Sequence, residues 1–392
     1  MVGEVPKAVP RAGTWWRQGP EAESFYAFIP AALPPDPPVR VEGSLQALYE
    51  RAVRSVGRLD GIATLLPNPH HFLYVQVRRE AVVSSQIEGT LSSLSDLLLF
   101  EIEEAPGVPL VDVREVSNYV AALEHGLRRL EGGFPLCVRL LREIHGRLMR
   151  GVRGGNKEPG EFRRSQNWIG GTRPGNALFV PPPAPEVAPA MAALEKYLHS
   201  EAPAVIKAGL AHAQFETIHP FLDGNGRLGR LLIAFVLCVE GALSEPLLYL
   251  SLYFKRNRTA YYAALQRVRT DGDWEGWLRF YLVGMEEVAR EGANTIRKLV
   301  KMFDSHRESI QGLGRASGTA LRLHDLLKKQ VYVNLTKAAA ALKVSFPTVS
   351  KAAGLLQGLD LLRERTGRRK NRIFVYEPYL KVLEAGTKGP PG

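Results

Sequence analysis

Two cysteines in 392 residues leave no room for a disulfide framework. Cys137 and Cys238 lie far apart and neither belongs to a C-x-x-C pair, which argues against structural zinc. Their neighbours, Phe-Pro-Leu-Cys-Val and Val-Leu-Cys-Val, are apolar, so both read as buried free thiols in a reducing compartment. The opening residues, Met-Val-Gly-Glu-Val-Pro-Lys, lack the apolar core of a signal peptide. The longest apolar run, Leu231 to Val239, is too short to span a bilayer. A cytoplasmic location and no membrane partner are the expectation. No repeat at solenoid or propeller spacing is present.

What is abundant is positive charge. Lys and Arg number 51 against 40 Asp and Glu, a net charge of +11. That sign favours nucleotides, nucleic acid or anionic surfaces without choosing among them. Hydrophobic content of 45% and charged content of 23% are those of an ordinary soluble protein, long enough for two or three domains.

Residues 1–40 are Pro-rich and read as mostly extended, pinned to a folded body by Trp15, Trp16, Tyr26 and Phe28. Helical periodicity follows from about 43 to 150, as in Leu45, Leu48, Val53, Val56 and Leu59. Glycines and prolines interrupt residues 151–185, where the short β-prone Ala177-Leu178-Phe179-Val180 suggests a loop or small hairpin. Helical pattern resumes from about 186 to 300, and Gly312, Gly314 and Gly318 mark a turn before a last small domain.

The most informative stretch is His219-Pro220-Phe221-Leu222-Asp223-Gly224-Asn225-Gly226-Arg227-Leu228-Gly229-Arg230. His219 can exchange a proton near neutral pH. Asp223 is a hard oxygen ligand of the kind Mg²⁺ takes beside nucleotide phosphates. Gly224 and Gly226 let a backbone approach an anion, and Asn225 adds donors. The apolar run that follows implies that the loop opens a helix, whose free N–H groups bind phosphate. Arg227 and Arg230 share one face of the first turn, where two cations make sense with an anion between them.

This stretch matches H-P-F-x-D/E-G-N-G-R-x-x-R, the signature of the Fic family, at every fixed position, and the chain resembles that family over about residues 20–380. The resemblance implies a mostly α fold: a Fic-type helical domain with a small β-hairpin flap. It also implies transfer of AMP from ATP to a Ser, Thr or Tyr hydroxyl of a protein, the chain itself included. His219 would then be the base and Asp223 the Mg²⁺ ligand. Gly224, Asn225, Gly226, Arg227, Leu228 and Gly229 would line the phosphates, with Arg230 at the γ-phosphate. Gly160 to Gly171, running on to Pro183, looks like the flap. Ile169, Gly170, Gly171 and Thr172 would lie beside the nucleotide, and a target protein would dock at about 170–183. Tyr261 and Tyr262 resemble the border of the adenine pocket.

Upstream, Ser84-Ser85-Gln86-Ile87-Glu88-Gly89 matches the family's inhibitory motif S/T-x-x-x-E-G/N. Ser84 and Glu88 share a helix face, and Gly89 suits the helix end. By resemblance Glu88 pairs with Arg230 and blocks productive ATP binding. Near the C-terminus, residues 335–342 and 346–356 read as two short helices with Ser345 as cap and Pro347 in the first turn. Arg363, Arg365, Arg368, Arg369, Lys370 and Arg372 then lie between two short strands, a winged helix-turn-helix pattern. DNA through residues 335–376, with Thr348, Ser350 and Lys351 at a groove, and protein contact are equally open partners. A homodimer is also left open.

The expected division is 1–110 for an N-terminal region with the inhibitory helix at about 80–89, 111–290 for the catalytic domain, 291–315 for a helical linker and 316–392 for the winged helix. Two other readings stay beside the adenylyltransferase: a DNA-binding regulator that senses nucleotide with little turnover, and a transferase using another nucleotide donor.

Overall fold

The structure, a computed structural model, describes residues 8–64, 69–103, 110–367 and 372–385. An antiparallel hairpin comes first, β1 (Gly13–Gln18) and β2 (Phe25–Pro30). Helices follow: α1 (Gly43–Ala63), α2 (Pro69–Ile87), α3 (Leu94–Glu103), α4 (Leu110–Glu131) and α5 (Val138–Leu148). After a long loop come α6 (Ala184–Leu198), α7 (Ala204–Ile218), α8 (Asn225–Val239), α9 (Ser251–Arg256), α10 (Arg258–Asp271) and α11 (Trp274–Gln311). The chain ends with α12 (Ser317–Leu327), β3 (Tyr332–Asn334), α13 (Leu335–Leu342), α14 (Phe346–Gly358), β4 (Leu362–Glu364), β5 (Ile373–Tyr376) and α15 (Glu377–Glu384). The last three strands form a sheet in the order β3-β5-β4, both pairings antiparallel.

Helices α7 and α8 are the centre. Every residue of α7 from Lys207 to Ile218 is buried, as is α8 from Arg227 to Leu237, so both helices lie inside the core with their few polar side chains. Their packing depends on close approach: a Cβ at Gly229 would lie 2.5 Å from Glu216 Oε1. Around this pair pack α4, α5, α6, α10 and α11. Helix α1 buries Leu45, Leu48, Ala52, Val56 and Leu59, its i, i+3, i+4 stripe, along α11.

Three details differ from the sequence reading. Residues 13–30 are a hairpin rather than an irregular extended segment, because Pro20 and Pro30 stand at its turn and end, where no ladder N–H is needed. Trp15 and Phe28 pack on Phe179 of the long loop, whereas Trp16 is exposed. Helix α11 runs unbroken from Trp274 to Gln311. Both cysteines are half-buried rather than fully enclosed, and burial pushes the Cys238 thiol up to about 12. Arg368, Arg369 and Lys370 lie outside the described residues. Among the described residues no helix is long and apolar enough to cross a membrane.

Candidate active site

His219 ends α7 in the left-handed region (φ 48°), and Gly224, also left-handed (φ 76°), starts α8. The loop between them is closed by its own residues. Asn225 accepts the Phe221 N–H at 2.9 Å and donates to the Phe221 carbonyl at 2.8 Å. Its side chain is therefore spent on the loop and not turned to a ligand; its backbone N–H remains at the helix start. Leu228 is likewise a correction to the phosphate lining, because it is fully buried in the core. Gly224 and Gly226 do face close neighbours. A Cβ at Gly224 would sit 2.7 Å from Met149 Sδ, and one at Gly226 would sit 2.5 Å from Glu88 Oε1.

The imidazole of His219 is neutral at ordinary pH. Burial lowers it to about 3, helped by the guanidiniums of Arg269 and Arg163, with the Glu216 carbonyl and Asp223 pulling weakly the other way. The Glu216 carbonyl is the backbone acceptor acting on the ring, and a hydrogen kept on the enclosed Nδ1 leaves Nε2 as the basic nitrogen. Asp223 accepts the Gly224 N–H at 2.7 Å and lies 3.4 Å from Lys157 Nζ and 3.7 Å from Arg227 Nη2. One half-exposed carboxylate at the mouth of a helix N-terminus fits Mg²⁺, which takes its remaining ligands from phosphates and water.

Each motif arginine has a carboxylate. Arg227 is buried 3.5 Å from Glu115. Arg230 is held from three sides: its Nε donates to Ser84 Oγ at 2.8 Å, and its Nη2 donates to the Ser84 carbonyl at 2.9 Å and to Glu88 Oε1 at 2.8 Å. Burial opposes its charge, but Glu88 raises its pKa beyond the ordinary value. Glu88 lies just past the end of α2, and Gly89 turns the chain away at φ 98°. One and two turns earlier on the same face stand Ser84 and Glu80. Glu80 accepts from Tyr119 at 3.0 Å and from Ser251, and burial pushes its carboxyl up to about 7.

The expected flap is slighter than a hairpin. Ile169 and Phe179 make a single antiparallel bridge. Gly170 and Gly171 both adopt φ 70°, and Thr172 accepts the Asn176 amide at 3.0 Å. Its two ends converge on Arg163, which sequence reasoning did not assign. That guanidinium is buried and donates to the carbonyls of His219 (3.0 Å), Ser165 (3.3 Å) and Pro182. Tyr261 is a core residue whose hydroxyl meets His212 Nε2 at 2.9 Å, with His212 Nδ1 donating to the Gly229 carbonyl at 2.8 Å. Tyr262 is exposed, 5.0 Å from Tyr261 between ring centres.

These groups dictate an acid-labile fold. Burial holds His145, His212, His219 and His324 at about 4, 3, 3 and 4, below 6.5, and raises Glu80 and Glu216 from 4.5 to about 7. Between pH 6.5 and 4.5 the unfolded chain takes up four imidazole protons that the fold refuses, while the fold keeps two carboxyl protons that the unfolded chain loses. Four minus two leaves the unfolded state binding more protons, so stability falls with falling pH, on the order of 3 kcal/mol per unit at most. Thermal melts at pH 7 and pH 5 check this; an unchanged or higher melting temperature at pH 5 would contradict it.

Residues 46–128 match the Fic/DOC family N-terminal model, and residues 135–237 match the Fic/DOC family model. The protein adenylyltransferase Fic of Drosophila erecta is 33% identical over 181 residues, which cover 44% of this chain and 33% of that protein. The same protein of Drosophila ananassae is 34% identical over 181 residues with the same coverage of both chains. The chain thus spans about a third of the length of these curated relatives. Among solved structures, a Fic family protein from Desulfovibrio desulfuricans aligns with a TM-score of 0.54 at 20% identity, over 84% of this chain and 95% of its own. A Fic domain containing signaling protein from Bacteroides thetaiotaomicron aligns with a TM-score of 0.51 at 19% identity, over 64% and 97%. Residues 46–128 and 135–237 thus carry a Fic/DOC family N-terminal region and a Fic/DOC family domain.

Proposed function

We propose that this chain is a protein adenylyltransferase that moves AMP from ATP to a Ser, Thr or Tyr hydroxyl, and that Glu88 holds it in check. The observation that carries the reading is a neutral histidine set against a glycine-opened helix N-terminus with two buried arginines. Free N–H groups and the dipole at the start of α8 attract phosphate, and Arg227 supplies charge beside them. Asp223 would hold Mg²⁺, which neutralises phosphate charge when bound. His219 Nε2 takes the proton of the acceptor hydroxyl. The hydroxyl oxygen bonds to the α-phosphorus, the bond from that phosphorus to the α,β-bridging oxygen breaks, and pyrophosphate leaves. Arriving phosphates add negative charge near His219 and so raise its basicity when it is needed.

Arg230 serves the γ-phosphate in this reading, and Glu88 is its rival. Tyr262 borders the base, and the acceptor docks along the flap at about 170–183. We assign residues 316–392 to a winged helix-turn-helix module. Its order of helix, strand, two helices and two strands supports this, as does the exposure of Thr348 and Lys351 on α14. Retention of the full chain on duplex DNA at low salt, lost at high salt, tests whether that module takes nucleic acid.

Incubation with Mg²⁺ and ATP labelled at either the α- or the γ-phosphorus tests the reaction itself. Protein-bound label from the α-position alone is the expected result. Label from the γ-position would mean phosphate transfer, and no label with the Glu88→Gly variant would leave a nucleotide-sensing regulator as the better reading.

A further inference from the structure

Helix α5 is a platform on which the two loops of the site rest, and His145 is its centre. The side chain is buried, with its ring stacked flat on Phe221 at 3.7 Å between centres and 9° between planes. Stacking leaves only the ring edges for hydrogen bonds. At one edge Nδ1 meets the Gly160 N–H at 2.8 Å. A backbone amide only donates, so Nδ1 accepts and the ring hydrogen sits on Nε2. At the other edge Nε2 donates to the Asp223 carbonyl at 2.9 Å. One imidazole therefore joins the start of the flap to the loop of the motif.

Its neighbours on α5 complete the seat. Arg142 Nε donates to the Gly160 carbonyl at 2.8 Å, so α5 satisfies both polar groups of Gly160 from side chains one turn apart. A Cβ at Gly146 would come 3.9 Å from the Gly160 Cα, which shows how low that loop lies. Met149 packs under Gly224 in the same way. Gly154 comes so near the Asp223 carboxylate that a Cβ there would collide with it.

We propose that His145 is a positioning residue for AMP transfer: it fixes the Asp223 peptide over the phosphate cradle and locks the flap to it, so that the carboxylate and the acceptor hydroxyl meet at one place. The proposal rests on the adenylyltransferase reading. The Asp223 side chain hangs from a peptide whose carbonyl His145 holds. Without that bond the carbonyl has lost its partner and the peptide is free to rotate, carrying the carboxylate with it. Packing alone does not require histidine here, since phenylalanine fills the same stack.

The test compares His145→Phe with His145→Gln in a Glu88→Gly background. Phenylalanine keeps the stack and removes both hydrogen bonds. Glutamine presents an oxygen and an NH₂ in place of the two nitrogens. His145→Phe is expected to lower kcat about 10- to 100-fold, the cost typical of losing a partner that orients a ligand, while KM for ATP moves less than about threefold. His145→Gln recovers at least several-fold of the loss, and amide exchange at Gly160 rises in the Phe variant. A Phe variant with parental kcat, a change in KM alone, or Gln no better than Phe at equal folded fraction would overturn the proposal. If Glu88→Gly transfers no AMP, the adenylyltransferase reading fails instead. Exchange then decides for His145: a rise at Gly160 supports the clamp, and no change refutes it.

Discussion

Replacing Glu88 by glycine should raise AMP incorporation about 30- to 150-fold. Arg230 is fixed by two bonds to Ser84 that do not involve Glu88. The guanidinium therefore stays in place when the carboxylate goes. Glu88 is the exchangeable partner: its side chain is 38% exposed against 2% for Arg230. Competition is steric as well as electrostatic, because its carboxylate lies over the first turn of α8, within 2.5 Å of where a Cβ on Gly226 would be. An anion entering the helix N-terminus needs that volume. Close charge pairs couple by about 1.5–7 kcal/mol, and the exposure of Glu88 places this one near the low end, about 2–3 kcal/mol, which sets the expected factor. Glu88→Gln keeps the bulk without the charge and should fall between parent and glycine. Rates of labelled AMP incorporation check the series, and equal rates throughout would remove Glu88 from the account.

Loss of His219 should be costlier still, about 10²- to 10⁴-fold in transfer, the usual contribution of a general base. Arg227 and Arg230 remain, so ATP affinity should stay near that of the parent, separating base chemistry from binding. The backbone adds a complication that a second variant resolves. His219 sits at φ 48°, where alanine is strained by roughly 1–2 kcal/mol and asparagine is tolerated. His219→Asn should therefore melt closer to the parent than His219→Ala while transferring equally little AMP. Turnover by either variant within tenfold of the parent would contradict the role of base.

The motif was legible because its parts are contiguous: a histidine, a carboxylate, glycines and arginines that a helix start gathers without help from elsewhere. Spacing alone gave Glu88 no more than a shared helix face with Ser84 ahead of a helix-ending glycine; its contact with Arg230, 2.8 Å in the structure, was expected only from the family resemblance. His145, Arg163 and Arg269 were not legible. Arg163 and Arg269 spend their donors on backbone carbonyls and a threonine hydroxyl, and His145 spends both ring nitrogens on backbone groups, so no partner motif exists in the sequence to betray them. Arg163 lay inside the stretch read as the flap, three residues after Gly160, but nothing in that stretch pointed to its buried role. Asn225 was placed in the right loop, but its amide closes on Phe221, a choice that depends on loop shape rather than on residue type. The hairpin at 13–30 was hidden by prolines whose spacing looks extended until their positions at turn and strand end are seen.

The central claim is that Arg230 has two rival partners, a triphosphate and Glu88. Intact-mass spectrometry of parent, Glu88→Gly and Glu88→Gly/His219→Ala after incubation with ATP and Mg²⁺ tests it most directly. The account predicts the added mass of one or more AMP groups on Glu88→Gly, little on the parent and none on the double variant. Equal modification of parent and Glu88→Gly, or persistent modification of the double variant, would contradict it.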